Sequence, residues 1–149
     1  MSETSVVHVL VVEDHPVVRR AVCALLSGDP VLTVVCEAAD GEQAVQKAEE
    51  LQPDLVLMDI SLPGISGIEA ARRIRRVSPN SRIIFLSQHD SLQMVKDALN
   101  MGGHGYVAKI DAGQELLQAI SLVREGKQFV SQRIVSQAWK TESHGSADR

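Results

Sequence analysis

The chain reads as an α/β protein, a parallel sheet with helices packed on both faces. Three observations predict this. Short apolar runs alternate with amphipathic stretches, each pair about 20–25 residues long, which is the rhythm of repeated strand–helix units. The run from Leu55 to Met58 is apolar at every position, as a strand buried on both faces must be. Helical stretches are bounded by starters and breakers, among them Pro16, Ser66, Gly28 and Pro53. Crossovers between parallel neighbours are expected to be right-handed.

Val6 to Val12, interrupted only by His8, is the first strand. Pro16 opens a helix, because its missing N–H would be unpaired in the first turn anyway. That helix carries Val18, Val22 and Leu25 on one face and stops at Gly28. Thr33 to Glu37 is the second strand. Asp40 and Gln43 are spaced as a capping box for a helix that Pro53 ends. After the Leu55 strand, Ser66 and Glu69 repeat that spacing, and Ile68, Ala71 and Ile74 line a helix stopped before Pro79. Arg82 to Leu86 is the fourth strand, ending at Ser87. Asp90 and Gln93 open a helix with Leu92, Val95 and Leu99 buried, closed by Gly102 and Gly103. Gly105 to Ala108 is a short fifth strand, Asp111 caps the last long helix, and Gly126 stops it.

With 149 residues, one domain with a sizeable core is expected. Only 3% of residues are aromatic, so the core must be aliphatic. A net charge of −4 argues against nucleic acid as a direct, whole-surface partner. Cys23 and Cys36 lack metal-ligand spacing and read as small core residues in a reducing compartment. No apolar run approaches the ~18 residues of a membrane span, and no signal peptide is visible, so a cytoplasmic location is expected.

The strand ends carry the chemistry. In a parallel sheet the ligand crevice lies outside the carboxyl ends of the strands. The first strand delivers Glu13 and Asp14 there, the third Asp59, the fourth Ser87 and the fifth Lys109. Crowded carboxylates raise one another's pKa unless something compensates. A hard divalent cation is the natural compensation, and Mg²⁺ fits best because it takes one or two carboxylates and leaves positions for water and phosphate. The backbone carbonyl of Ser61 is within reach as a further ligand. Lys109 adds a positive charge and Ser87 a hydroxyl donor. This inventory suits phosphoryl transfer, with Asp59 as a carboxylate nucleophile.

These residues resemble the receiver domain of two-component response regulators, more narrowly the NarL/FixJ subgroup. The matching stretches are Val-Val-Glu-Asp-His-Pro (11–16), Leu-Val-Leu-Met-Asp-Ile-Ser-Leu-Pro-Gly (55–64), Ile-Ile-Phe-Leu-Ser (83–87) and Gly-Tyr-Val-Ala-Lys (105–109). The resemblance implies a flavodoxin-like, CheY-like five-stranded sheet of order 2-1-3-4-5. It implies Asp59 as the phosphoacceptor for a sensor histidine kinase, with Mg²⁺ held by Glu13, Asp14, Asp59 and the Ser61 carbonyl. Ser87 and Lys109 would contact the phosphoryl group, and Ser87 and Tyr106 would act as switch residues. A homodimer on activation is implied, with no nucleic acid bound by the domain itself and no membrane. It also implies a signalling domain that assists its own phosphorylation and dephosphorylation, not an enzyme with a separate substrate.

The expected layout is a receiver at 5–126, a linker or short extra helix at 127–140, and a small, polar, disordered tail at 141–149. The linker resembles the one that leads to a helix-turn-helix DNA-binding domain, and that domain is expected to be absent from this chain, which is read as the receiver part of such a regulator or, alternatively, as a stand-alone receiver acting through protein contacts. Gln88 stands where many receivers carry a small side chain, which bears on the lifetime of the phosphorylated state. A dehalogenase-type phosphatase would need a second acid two residues after Asp59, where Ser61 stands. A flavin binder would need a phosphate loop where Glu13 and Asp14 stand. His15 is read as structural, His8, His89 and His104 show no ligand spacing, and the arginines at 72, 73, 75 and 76 read as a solvated helix face.

Overall fold

The computed structural model describes residues 6–89 and 91–137. Six parallel strands form one sheet in the order β2-β1-β3-β4-β5-β6. The strands are β1 (Val7–Val12), β2 (Leu32–Ala38), β3 (Leu55–Asp59), β4 (Arg82–Ser87), β5 (Gly105–Ala108) and β6 (Phe129–Val130). The helices are α1 (Pro16–Leu26), α2 (Gly41–Leu51), α3 (Gly67–Val77), α4 (Leu92–Asn100) and α5 (Ala112–Arg124). The first five strands take the expected order, and β6 adds to it at the edge of β5.

All five residues of β3 are buried, which is why that run carries no alternation. The sheet separates two core layers. One gathers Leu10, Val56, Met58, Ile83, Phe85 and Tyr106 with residues of α2, α3 and α4. The other gathers Val9, Val11, Leu55, Leu57, Ile84 and Val107 with residues of α1 and α5. Alternate residues of one strand feed opposite layers, so the period of 2 is present but hidden by a core on both sides.

Local signals place most helix ends. Pro16 is the first residue of α1, and the helix gives out at Ser27. Its buried residues are Val22 and Leu26, while Val18 and Leu25 are only half-buried. Asp40 accepts from the Gln43 N–H at 2.8 Å, and the Gln43 side chain bonds back to the Ala39 N–H at 2.9 Å. Ser66 caps α3 through the Glu69 N–H. The reciprocal half of that box does not form, because the Glu69 carboxylate turns to Arg72 and Arg73. These pairs hold Glu69 at a pKa of about 2, and they account for two of the four arginines of the basic face.

Other expectations are corrected. The cap of α4 is Ser91, whose hydroxyl accepts from the Met94 N–H, and Asp90 lies outside the described residues. Val95 and Ala98 are its buried residues, while Leu92 and Leu99 are half-buried. A single 3₁₀ turn, Lys109–Asp111, separates β5 from α5. The side chain of Asp111 makes no capping bond to α5 and pairs instead with Arg133 at 3.0 Å.

The segment read as a linker or short extra helix adds a strand to the sheet and then a helix. Gly105 pairs with Phe129 and Tyr106 with Val130. Residues 132–137 are helical, and Ile134 is buried in the same layer as Tyr106. Two apolar residues are too short a run to announce a strand; β6 forms because the open edge of β5 supplies its hydrogen-bond partners. Ala138, Trp139 and the tail 141–149 lie outside the described residues. Among the described residues, no helix is long and apolar enough to cross a membrane.

Candidate functional site

The carboxyl ends of β1, β3 and β5 bring Glu13, Asp14, Asp59 and Lys109 into one crevice. Lys109 Nζ lies 2.7 Å from Glu13 Oε1 and 3.0 Å from Asp59 Oδ2. Glu13 and Asp59 are each about 2% exposed, so this lysine bridges two buried carboxylates. Asp59 Oδ1 accepts the Ser61 N–H at 3.2 Å, a local turn that fixes the carboxylate at the strand end. Gly67 permits the tight return that follows. Its N–H donates to the Ile60 carbonyl, and any Cβ there would overlap the Asp59 carbonyl oxygen.

The electrostatics divide the two buried acids. Burial pushes Asp59 above the ordinary carboxylate range, and the bond from Lys109 offsets only part of this. Burial acts on Glu13 in the same direction, but the bonds from Lys109 and His15 outweigh it and hold Glu13 below its usual value. Burial would lower Lys109, yet its pairs with Glu13 and Asp59 keep it raised and therefore charged.

Asp14 is held differently. Its Oδ1 is buried and accepts no hydrogen bond among the described residues. A buried carboxylate oxygen without a hydrogen bond is costly, and a cation would satisfy it. Ligand atoms of Glu13, Asp14, His15 and Asp59 all lie within 4.8 Å of one another. Oxygen donors clustered in this way fit a hard divalent cation such as Mg²⁺. The histidine in that group, read from the sequence as structural, lies among the acids. His15 Nδ1 sits 3.1 Å from Glu13 Oε2 and 3.3 Å from Asp14 Oδ1. Its place directly after two acids was the available signal.

A second ring of groups surrounds the acids. Ser87 is fully buried, and its Oγ accepts the His89 N–H at 2.9 Å. Tyr106 is also fully buried, and its hydroxyl donates to the His89 carbonyl at 2.8 Å. The His89 ring reaches across to Ser61 Oγ, 2.8 Å from its Nε2. His89 thus ties together three residues that the sequence marked separately. Nothing in its own spacing signalled this, because Tyr106 and Ser61 are distant in sequence and Ser87 and Tyr106 are bonded through the His89 backbone. Beside this ring, Ser87, Gln88, Ala108, Lys109, Ile110 and Arg133 line a cavity of about 270 Å³.

Strand order and crevice define a doubly wound α/β protein whose site lies at the carboxyl ends of its strands. The chain matches the response regulator receiver domain over residues 9–121 and belongs to that family. It is 38% identical to the transcriptional activator protein ExaE of Pseudomonas putida over 129 residues, 87% of this chain and 60% of that protein. It is 36% identical to the nitrate/nitrite response regulator protein NarL of Escherichia coli K12, covering 90% of this chain and 62% of that one. The chain therefore spans about three fifths of the length of these curated relatives. A two-component response regulator of the LuxR family from Aurantimonas sp. SI85-9A1 superimposes with a TM-score of 0.88 at 35% identity, over 93% of this chain and 99% of that chain. Receiver domains are signalling domains that bind Mg²⁺ at an acidic pocket, and the acidic cluster here has that composition.

Proposed function

We propose that this chain is a phosphorylation-activated switch in which Asp59 accepts a phosphoryl group from a histidine kinase. The observation that carries this reading is the pairing of Glu13 and Asp59 with one lysine beside Asp14, one of whose buried oxygens accepts no hydrogen bond among the described residues. An Asp59 carboxylate oxygen attacks phosphorus, the bond from phosphorus to the donor nitrogen breaks, and the donor imidazole keeps that electron pair. Charge builds on the three phosphoryl oxygens, and fixed positive groups are what lower that barrier. Lys109, already 3.0 Å from Asp59 Oδ2, is placed to pair with one of them. Glu13, Asp14, Asp59 and the Ser61 carbonyl would hold Mg²⁺, which when bound neutralises charge on the phosphoryl oxygens.

Ser87 and Tyr106 are proposed as switch residues. Each has a hydroxyl bonded to a backbone group of His89, and rotation of the Ser87 hydroxyl toward a new anion would give up its bond from the His89 N–H. Phosphorylation then shifts an existing equilibrium rather than creating a new state. Gln88, which lines the cavity beside Ser87 and Lys109, is proposed to shield the acyl phosphate from water and so lengthen its lifetime. The longer relatives, one named a transcriptional activator and one a response regulator, support a role as the receiver part of a cytoplasmic DNA-binding regulator that dimerises when activated.

Intact-mass measurement after incubation with acetyl phosphate and Mg²⁺ tests the reading. One added phosphoryl group mapped to Asp59, and none in Asp59→Asn, is the expected result. Modification elsewhere, or none, overturns it. Asp14→Ala should fold normally and weaken Mg²⁺ binding, measured by metal titration.

A further inference from the structure

The segment after α5 is fastened to β5 by a set of bonds that the proposed switch does not use. The Ser131 N–H donates to the Tyr106 carbonyl at 2.9 Å, and the Ala108 N–H donates to Ser131 Oγ at 2.8 Å. Ser131 is fully buried, and its hydroxyl donates onward to Glu115 Oε1 of α5 at 2.5 Å. The second oxygen of Glu115 accepts the Gln132 N–H at 3.2 Å, so one carboxylate closes the start of the 132–137 helix from a neighbouring element. Arg133 pairs with Asp111 through two nitrogens, at 3.0 and 3.3 Å. Ile134, 2% exposed, packs in the layer that holds Tyr106 and Val95.

The polar anchors of this segment on β5, the 109–111 turn and α5 lie close in sequence to the site lysine. Tyr106 and Ala108 precede Lys109, Asp111 follows it by two residues, and Arg133 and Lys109 line the same cavity. A change at Asp59 acts on Lys109 directly, because the two are paired. A phosphoryl group carries more negative charge than the carboxylate it replaces and sits farther from the strand end. It must re-aim the lysine and with it the short turn 109–111.

We propose that residues 129–137 are a clasp on the β5 edge, held by Ser131, Glu115 and the Asp111–Arg133 pair, that loosens when the site is occupied. The clasp passes the state of Asp59 to whatever chain follows. It rests on the reading of Asp59 as phosphoacceptor. Ser131 is its pivot, since a single buried hydroxyl joins the β5 backbone to α5 and to the 132–137 helix.

Hydrogen–deuterium exchange of the full chain, with and without Mg²⁺ and beryllofluoride, tests it; ¹⁹F NMR reports in parallel whether the mimic is bound. Occupancy should raise exchange at the Ser131, Ile134 and Val135 amides. Ser131→Ala should raise it about tenfold without the mimic, the effect of one lost hydrogen bond. Glu115→Gln, which keeps the shape of the side chain, should do so more weakly and serves if Ser131→Ala does not fold. Bound mimic with unchanged or slower exchange in 129–137 overturns the clasp alone. Absence of any bound mimic overturns the phosphoacceptor reading and the clasp with it.

Discussion

At the carboxyl edge of the sheet, two buried acids share one lysine and a buried oxygen of Asp14 has no hydrogen bond among the described residues. At the opposite edge, where β3 and β4 begin, the buried polar groups are bonded to one another. Ser81 Oγ donates to the Pro53 carbonyl at 2.5 Å and lies 2.6 Å from Ser78 Oγ, which donates to Gln52. Gln52 in turn donates to the Ala48, Glu49 and Val77 carbonyls, tying the ends of α2 and α3 together. Both edges bury polar atoms, but only one leaves charge uncompensated. A closed network of neutral hydroxyls rigidifies a core, whereas crowded charge held short of compensation is what a site for cation and phosphate requires.

Four substitutions break or sharpen that contrast. The largest effect is expected from Gly67→Ala, whose added methyl meets the backbone of Asp59 and Ile60 and cannot be relieved by a rotamer change. Chemical denaturation should show a loss of about 3 kcal/mol. Ser81→Ala leaves the Pro53 carbonyl without its buried donor. It should cost about 2 kcal/mol in the same measurement while leaving acetyl phosphate labelling unchanged.

His104 sits at the quiet edge too, and its Nδ1 accepts the Ile83 N–H at 3.0 Å. That bond requires the neutral ring. Burial first, then Arg82 and Arg75, lower its pKa below 6.5. A lowered histidine pKa means the unfolded chain binds the proton more readily. Stability should therefore fall as pH drops below 6.5, and that part of the slope should vanish in His104→Leu. The smallest effect has the opposite sign. Asp59→Asn removes a buried charge whose ionisation is disfavoured, so it should raise stability by about 0.5–1 kcal/mol while abolishing phosphorylation. A loss of stability would show that Lys109 needs both carboxylates.

Much of this arrangement was legible before any coordinates. The crevice acids, Lys109 and Ser87 were found because a parallel sheet delivers its strand ends to one side, and position in the chain suffices to collect them. Asp40 and Ser66 capped as their spacing indicated, because a cap depends on residues within one turn. The failures were those that depended on partners far along the chain. Glu69 left its capping role for two arginines, Asp111 left its for Arg133, and Ser91 took the place expected of Asp90. β6 was unreadable because two residues carry no period. His89 was passed over because its backbone, not its type, holds Ser87 and Tyr106.

Residue order alone set the alternation of strands and helices, the double burial of β3 and the set of charges brought to one edge. These follow from local periodicity and the handedness of crossovers, which any chain with this pattern obeys. Folding in three dimensions chose which of those charges pair, left one oxygen of Asp14 unbonded, and fastened residues 129–137 beside the crevice. Such choices turn on contacts of a few ångströms between residues as far apart in the chain as Glu13 and Lys109, and no local pattern encodes them.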